Sequence, residues 1–449
     1  MTVNHLPKSA AYVVIGAGMH GMSTAWHLAM ALEKSGKGKG SDVVLIDKSG
    51  PGAGATGIAC GCVRNLYMTS PIHNILRHSV DVWQSDPVNF GFQQVGYVSV
   101  GEGNQQTDYE KMHKSQNGAG YPSDLYVGQE AKSFLKKIWP DFNVERADVV
   151  LHEKPSGYAG THTAVRALKE KCDQWGVRSF MGVSVEGYDM AGGQIKGVVT
   201  SEGTIKADCV VICAGAWVTK HWDWLGLSDK LDMRYPDGGV VKDADMWTYW
   251  RLLEGEVSLK DGHRYRTSDD KDPPVLHVEL MNTPVVTEDG REFPDQHFYM
   301  YVRYAAERLG TPGVQGGTIP IKMGPKATLD PYGHANDEYQ ADPWFEPYYM
   351  ATLAYLFDGF KNYDGQFKKR RNGGIGAFTP DSVPIFDWVK DNAYMIADSN
   401  HGYKMIGVGK LVAEHLVSGN PVPELAPFGY TRFAQGKTFG DRNSNCPWV

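Results

Sequence analysis

One feature near the N-terminus constrains this chain more than any other: a glycine turn set between a buried strand and a helix. Residues 11–15 (AYVVI) are a short apolar run rich in β-branched side chains, and the run ends in Gly16-Ala17-Gly18-Met19-His20-Gly21. An apolar-faced helical pattern follows at 22–32. The Gly- and Lys-rich residues 35–40 break it, and a second buried strand at 43–46 ends at Asp47. Strand, glycine turn, helix, strand and acid in that order form a βαβ unit with a dinucleotide-binding fingerprint. Gly16 permits the tight turn, Gly18 lets the backbone approach a pyrophosphate, and Gly21 lets the helix pack closely on the strand. Asp47 is placed to accept hydrogen bonds from ribose hydroxyls. The spacing from Gly21 to Asp47 is long because residues 35–41 read as an inserted loop. Met19, His20 and Lys48 join these residues as expected nucleotide contacts.

A chain of 449 residues exceeds the size at which one core stops growing, so two domains are expected. The net charge of −7 excludes a broad electrostatic attraction to nucleic acid or to an anionic membrane. No apolar run is long enough for a membrane-spanning helix. The N-terminal stretch lacks the apolar core of a signal peptide, so a cytoplasmic location is expected. Six cysteines, Cys60, Cys62, Cys172, Cys209, Cys213 and Cys446, form no C-x-x-C pair and no zinc-type cluster. No metal is expected, and the thiols read as small buried residues.

Residues 160–176 show helical periodicity, with Ala164, Val165, Leu168 and Cys172 on one face. Residues 183–199 alternate around Gly192-Gly193 as a hairpin. Residues 207–214 (ADCVVICA) are a further buried strand closed by Gly215. Residues 231–295 are polar and turn-rich with interleaved aromatics, and no element is assigned there. Strand character returns at 297–303 (HFYMYVR), and 325–372 read as helices and loops. A strand at 394–397, a turn at 400–402 and a helix at 406–416 return to the first fold. There is no internal repeat and no low-complexity tract.

Two features favour FAD over NAD. The strand 208–217 ends in the small residues Ala214 and Gly215 before Trp217, and the C-terminal turn His401-Gly402-Tyr403-Lys404 comes back toward the nucleotide. Recruitment of pieces from both ends of the chain suits a larger, permanently held cofactor.

Four patches, VVIGAGMHGMSTAWHLA with VVLID, GAGATGIACGCVRNLY, CVVICAGAW, and RNGGIGAFTPDSVPIFD with SNHGYKMIGVGKLVAEHL, resemble the glycine oxidase, sarcosine oxidase and D-amino-acid oxidase family of flavoproteins. Their motifs are most similar to those of sarcosine oxidase β-subunits and dimethylglycine dehydrogenases. The resemblance implies an α/β (α+β) fold. In it, a Rossmann-like FAD-binding domain is assembled from residues 1–90, 150–225 and 370–449. A substrate domain with a large mixed β-sheet takes 91–149 and 226–369. It also implies cofactor contacts at Thr56, Gly57, Cys62, Val185, Ala214, Gly215, Trp217, Gly374, His401, Gly402, Tyr403 and Lys404. Arg64 and Lys404 match the residues that hold the substrate carboxylate. That agrees with the cationic partners a carboxylate needs in a dry pocket. The bland alternatives are a structural ion pair or a flavin phosphate contact for Arg64, and a solvated helix start for Lys404.

Neither the anchoring cysteine before T-P-D nor the anchoring histidine in the loop at 56–62 is present, so non-covalent FAD is expected. His162 reads as a helix-face histidine, and Cys60 and Cys62 as packing residues. Two placements compete for the lysine that such oxidases hold above the flavin. One selects Lys322; the other, starting from Tyr301-Val302-Arg303, selects Gln315 and implies a dehydrogenase. The implied reaction is oxidation of the C–N bond of a small N-methylated amino acid, with formaldehyde released from the imine. Tyr299 and Tyr301 would wall the pocket, and O2 or another acceptor would take the electrons. Oxidation of a D-amino acid, glycine or a 2-hydroxy acid stays open. So does a flavin-binding subunit inactive alone, within a homo-oligomer or with a partner subunit.

Overall fold

The structure, a computed structural model, describes residues 5–259, 265–294, 297–305, 312–333, 335–362, 367–368 and 374–439. Cys446 and the opening of the C-terminal motif, residues 371–373, lie outside the described residues.

An eight-stranded sheet carries the glycine turn. Ser9–Ile15 lies at its centre, paired in parallel with Val43–Asp47 on one side and Gly203–Ile212 on the other. Arg178–Met181 continues the sheet beyond Val43–Asp47. The ten-residue strand Gly203–Ile212 is shared: its first half pairs with the hairpin Val185–Ala191 and Gln194–Thr200, and its last three residues pair in parallel with Ala393–Ala397. Both faces are covered. Val14, Val43, Leu45 and Val211 point into one core, and Val13, Ile15, Val44, Ile46, Val210 and Ile212 into the other. That is why these strands read as unbroken apolar runs. The helix Met19–Ser35 packs on Val408–Ser418 so closely that a Cβ on Gly409 would stand 2.6 Å from the Thr24 backbone nitrogen. The two ends of the chain are joined there.

A second eight-stranded sheet is mixed. Its order is 367–368, Glu254–Ser258, Gly313–Gly317, Phe298–Tyr304, Val275–Leu280, Tyr97–Gly101, Val149–Glu153 and Ser123–Val127, with one parallel pair, Val275–Leu280 on Tyr97–Gly101. Its two faces differ. Val98, Val100, Leu276, Val278, Leu280, Met300 and Val302 face an apolar core shared with the helices Gln129–Ile138 and Phe345–Leu356. Tyr97, Ser99, His277, Tyr299, Tyr301 and Arg303 alternate with them and are also buried or nearly so. Residues 231–295, unassigned from sequence, contribute Thr248–Leu252 to a three-stranded sheet, a separate hairpin strand Val240–Asp245, and the roof strands Glu254–Ser258 and Val275–Leu280. Among the described residues, no helix is long and apolar enough to cross a membrane.

Candidate functional site

The C-terminal ends of the central strands open into a cavity of about 1020 Å³, roofed by the second sheet. That volume lies at the upper end of the range for small-molecule and cofactor sites. The glycine turn forms its floor at one end. Gly16 has φ +99°, and a Cβ there would stand 2.3 Å from the Cys213 carbonyl oxygen. Gly21 does not line the cavity. It lies behind it, where a Cβ would meet the Gly16 carbonyl oxygen at 1.7 Å. Gly18 starts the helix, and the Met19 amide donates to Thr56 Oγ1 at 3.0 Å. Asp47 Oδ2 accepts from the Ala17 amide at 2.8 Å, and its Oδ1 from the Ser49 and Gly50 amides. The carboxylate is thereby fixed beside the glycine turn. Val185, Ala214, Gly215 and Trp217 line the same end. Lys48 lies 3.8 Å over the Trp217 ring and pairs with Asp330, which also accepts from Trp217 Nε1 and Lys220.

The other end is made by the segment around Thr56 and the C-terminal turn. Tyr403 donates its hydroxyl to the Thr56 carbonyl at 3.0 Å, stacks on Trp83, and accepts at its own carbonyl from Trp83 Nε1 at 2.9 Å. Gly402, Tyr403 and Lys404 line the cavity. His401 does not. Its Nδ1 pairs with Asp398 Oδ1 at 2.9 Å, while His20 Nε2 pairs with Oδ2 at 2.8 Å. Burial pushes the Asp398 carboxyl up, but His401 and His20 outweigh it and hold it well below the usual range. His401 is thus a brace for the turn. Gly57 and Gly374 are also outside the lining. A Cβ on Gly57 would strike the Gly52 carbonyl, and one on Gly374 the Tyr332 hydroxyl. His162 is exposed on the helix Thr161–Gln174.

Arg64 and Lys404 meet at this end. Arg64 is 7% exposed, donates to the Leu66 carbonyl, and stands 4.6 Å over the Tyr67 ring. Burial opposes its charge, but Tyr67, Tyr97, Tyr299 and Glu153 outweigh this and raise its pKa. Lys404 lies 6.0 Å over the same ring. Burial first, and Arg64 second, lower its pKa to about 7. Two cationic side chains thus face one end of the cavity, the charge that a carboxylate would pair with. Cys60 and Cys62 both line the wall.

Neither residue weighed for the position above the flavin lines the cavity. Lys322 is exposed on Ile321–Gly324, with Nζ 5.9 Å from the Trp250 ring. Gln315 is fully buried, pairs in register with Arg303, and accepts from Arg303 Nη2 at 2.8 Å. Tyr301 does line it, and donates to Glu254 Oε1 at 2.7 Å. Glu254, Tyr97 and His277, all buried in the wall, were missed from sequence. For His277 part of the signal was present: 276–280 (LHVEL) alternates apolar and polar residues.

The cavity fits a dinucleotide. Besides the glycine turn and Asp47, two buried polar atoms of its wall residues, His20 Nδ1 and Asn400 Nδ2, have no protein partner. Among the described residues, no group of three or more His, Cys, Asp or Glu could hold a metal ion.

The sequence model of the family described as FAD dependent oxidoreductase (DAO) matches residues 11–415. The chain is 24% identical over 236 residues to the mitochondrial pyruvate dehydrogenase phosphatase regulatory subunit of Mus musculus, covering 51% of this chain and 25% of that protein. It is 25% identical over 272 residues to the formaldehyde-forming 4-methylaminobutanoate oxidase of Paenarthrobacter nicotinovorans, covering 56% of this chain and 31% of that protein. The match thus spans less than a third of either relative. The crystal structure of L-proline dehydrogenase from P. horikoshii shares the fold, with a TM-score of 0.73 at 21% identity, over 97% of this chain and all of that one.

Proposed function

The chain belongs to the family of FAD-dependent oxidoreductases, and on that premise we propose that it oxidises the C–N bond of a small N-methylated amino acid. The observation that carries this reading is the Arg64–Lys404 pair, which lines the cavity with both cations over the Tyr67 ring. The substrate carboxylate docks on these two cations, and Tyr299 and Tyr301 wall the amine. An aromatic wall favours a methylated amine. FAD, held without a covalent link, supplies the two-electron acceptor for a hydride equivalent leaving the carbon next to nitrogen.

The protein's own contribution is positioning and water exclusion. The glycine turn and the first helix would hold the pyrophosphate and Asp47 the ribose, and Thr56, Cys62, Gly402 and Tyr403 would lie beside the ring. The nearby positive charge disfavours the ammonium form of the substrate, so the reactive free amine is reached at lower pH. Hydrolysis of the imine product then releases formaldehyde and the demethylated amine. The segregation of two sheets supports a FAD-binding part and a substrate-binding part. The exposed position of Lys322 and the Arg303 clasp on Gln315 favour an electron acceptor other than O2. The 4-methylaminobutanoate oxidase relative is named as formaldehyde-forming, which supports N-demethylation.

Anaerobic mixing of the flavin-loaded protein with sarcosine, dimethylglycine, a longer N-methyl amino acid, a D-amino acid and a 2-hydroxy acid tests the reading. Bleaching of the flavin by an N-methyl compound is expected. Bleaching only by the D-amino acid or the hydroxy acid moves the assignment to that class. No bleaching at all points to a flavin-binding subunit that needs a partner.

A further inference from the structure

Oxidation of an amine that arrives as its ammonium must export a proton, and the carboxylate end of the cavity is walled by buried side chains. A line of polar groups runs along the cavity-side face of the roof sheet from that place. Tyr97 and His277 line the cavity, and the Tyr97 hydroxyl lies 3.1 Å from His277 Nδ1. His277 Nε2 lies 4.0 Å from Glu279 Oε2, and Glu279 Oε1 lies 3.4 Å from His297 Nε2. Side-chain exposure rises along the line, from 4% at His277 to 20% at Glu279 and 31% at His297. His277 and Glu279 are two apart on Val275–Leu280 and so share a face, while Leu276, Val278 and Leu280 turn into the apolar core. A sheet face could carry apolar residues here at no loss of packing. Two imidazoles and a carboxylate in a row, ending at solvent, are what a proton path requires.

We propose that Tyr97, His277, Glu279 and His297 form a relay that carries the substrate ammonium proton from the cavity to the surface. The proposal rests on the amine-oxidising reading above. The ammonium gives one proton to the Tyr97 oxygen as the Tyr97 hydroxyl proton passes to His277 Nδ1. The proton on Nε2 leaves for Glu279, then for His297 and water. One proton enters, one leaves, and no electrons move. The step from His277 to Glu279, at 4.0 Å, lies beyond hydrogen-bond range, and His297 Nε2, 3.4 Å from Glu279, makes no hydrogen bond, so both steps need a small side-chain rotation.

The electrostatics agree. Burial lowers the His277 pKa, so its ring is neutral and able to accept. Burial raises that of Glu279, but His277 and His297 outweigh it and hold it at about 2, so the carboxylate is ionised. The groups facing His277 are Tyr97 from one neighbouring strand, Tyr299 from the other, Arg64 and Glu279. Those near Glu279 are the two histidines, Tyr109 of the helix Gln106–Gly118, and Tyr348 of Phe345–Leu356. The Tyr348 hydroxyl donates to the His297 carbonyl at 2.7 Å and fixes the outer end.

The test is an anaerobic stopped-flow reaction of the flavin-loaded enzyme in weak buffer with a pH indicator. In the wild type one proton should reach the medium at the rate of flavin bleaching. In Glu279→Gln, with FAD content and substrate Kd unchanged, bleaching should slow by about tenfold or more, bounded above by the ~10²–10⁴ that positioned proton transfer contributes. Added imidazole buffer should restore it, and His297→Ala should behave likewise with a smaller loss. An unchanged rate and pH profile would overturn the relay. So would a slowed rate that buffer does not rescue, because that marks a structural role. If no amine bleaches the wild type, the proposed function fails instead, and the relay is then judged by NMR titration of the imidazoles in the same holoenzyme. Glu279→Gln should lower the pKa of His277 further; no change at that ring would overturn the coupling.

Discussion

The two eight-stranded sheets solve different problems with the same geometry. In the nucleotide sheet both faces are apolar: Val13 and Val44 point one way, Val14 and Leu45 the other, and the ligand is met only at the strand ends. In the roof sheet one face packs on helices and the other, carrying Tyr97, His277, Tyr299 and Tyr301, is itself the cavity wall. On the proposed reading, the first sheet would hold the cofactor with backbone and tolerate little change. The second would meet the substrate with side chains, so that changes there alter chemistry while leaving the fold standing.

The largest effect that separates the two should come from Gly21→Val. Its Cβ would start 1.7 Å from the Gly16 carbonyl oxygen, a backbone atom that cannot rotate away. Overpacking ordinarily costs about 1–3 kcal/mol, and here the glycine turn itself must move. The expected product is a colourless protein with a clearly lowered Tm, read from flavin absorbance and a thermal melt. By contrast His277→Phe, on the roof, should keep the flavin. A yellow Gly21→Val protein with a wild-type Tm would erase the distinction.

The same contrast decides what could be read in advance. The glycine turn, the strand before it, the helix after it and Asp47 lie within 40 residues and state their roles through local rules, so that half of the site was legible. Of the roof, only Tyr299 and Tyr301 were read as pocket wall. Tyr97, Glu254 and His277 come from three different strands, and only the sheet register brings them together. The alternation around His277 was visible, but polar residues alternating with apolar ones ordinarily mean a solvated face. Here the polar face looks into a cavity instead. His401 shows the converse error: it sits in a cofactor motif, yet its ring serves Asp398.

A smaller effect, confined to the substrate end, is expected for Arg64→Ala. Loss of one partner from a buried charge pair costs about 3–5 kcal/mol, which corresponds to a rise in substrate Kd of roughly two to nearly four orders of magnitude. FAD should stay bound, since Arg64 stands with Tyr67 and Tyr97 rather than with the glycine turn. Loss of flavin on purification would show that Arg64 belongs to the cofactor half.

Lys404 gives a graded test by pH. Its pKa is lowered to about 7, so it is charged below that value and loses its charge as pH rises through it. The Kd of a simple carboxylate such as acetate, which has no amine of its own to titrate, should therefore increase from pH 6 to pH 8. In Lys404→Met the same measurement should be weak at both ends and flat. A wild-type Kd that does not change over this range would mean that the Arg64 guanidinium alone holds the carboxylate.

The smallest expected effect is the most telling about the roof. Lys322→Met should leave flavin reduction by substrate and reoxidation by air within about twofold of wild type, as surface substitutions usually do. The reason is register. Lys322 pairs with Trp250 in the three-stranded sheet, where its side chain is exposed, while Gln315 lies on the roof-sheet strand Gly313–Gly317, which does not line the cavity. Gln315 in turn has its side-chain oxygen engaged by Arg303, whose Nε donates to the Cys60 carbonyl at 2.6 Å. No lysine is supplied from that strand. Stopped-flow reoxidation of the reduced enzyme by oxygen reads the point directly: a tenfold loss in Lys322→Met would require the amine to reach the flavin and would overturn the register that assigns the roof.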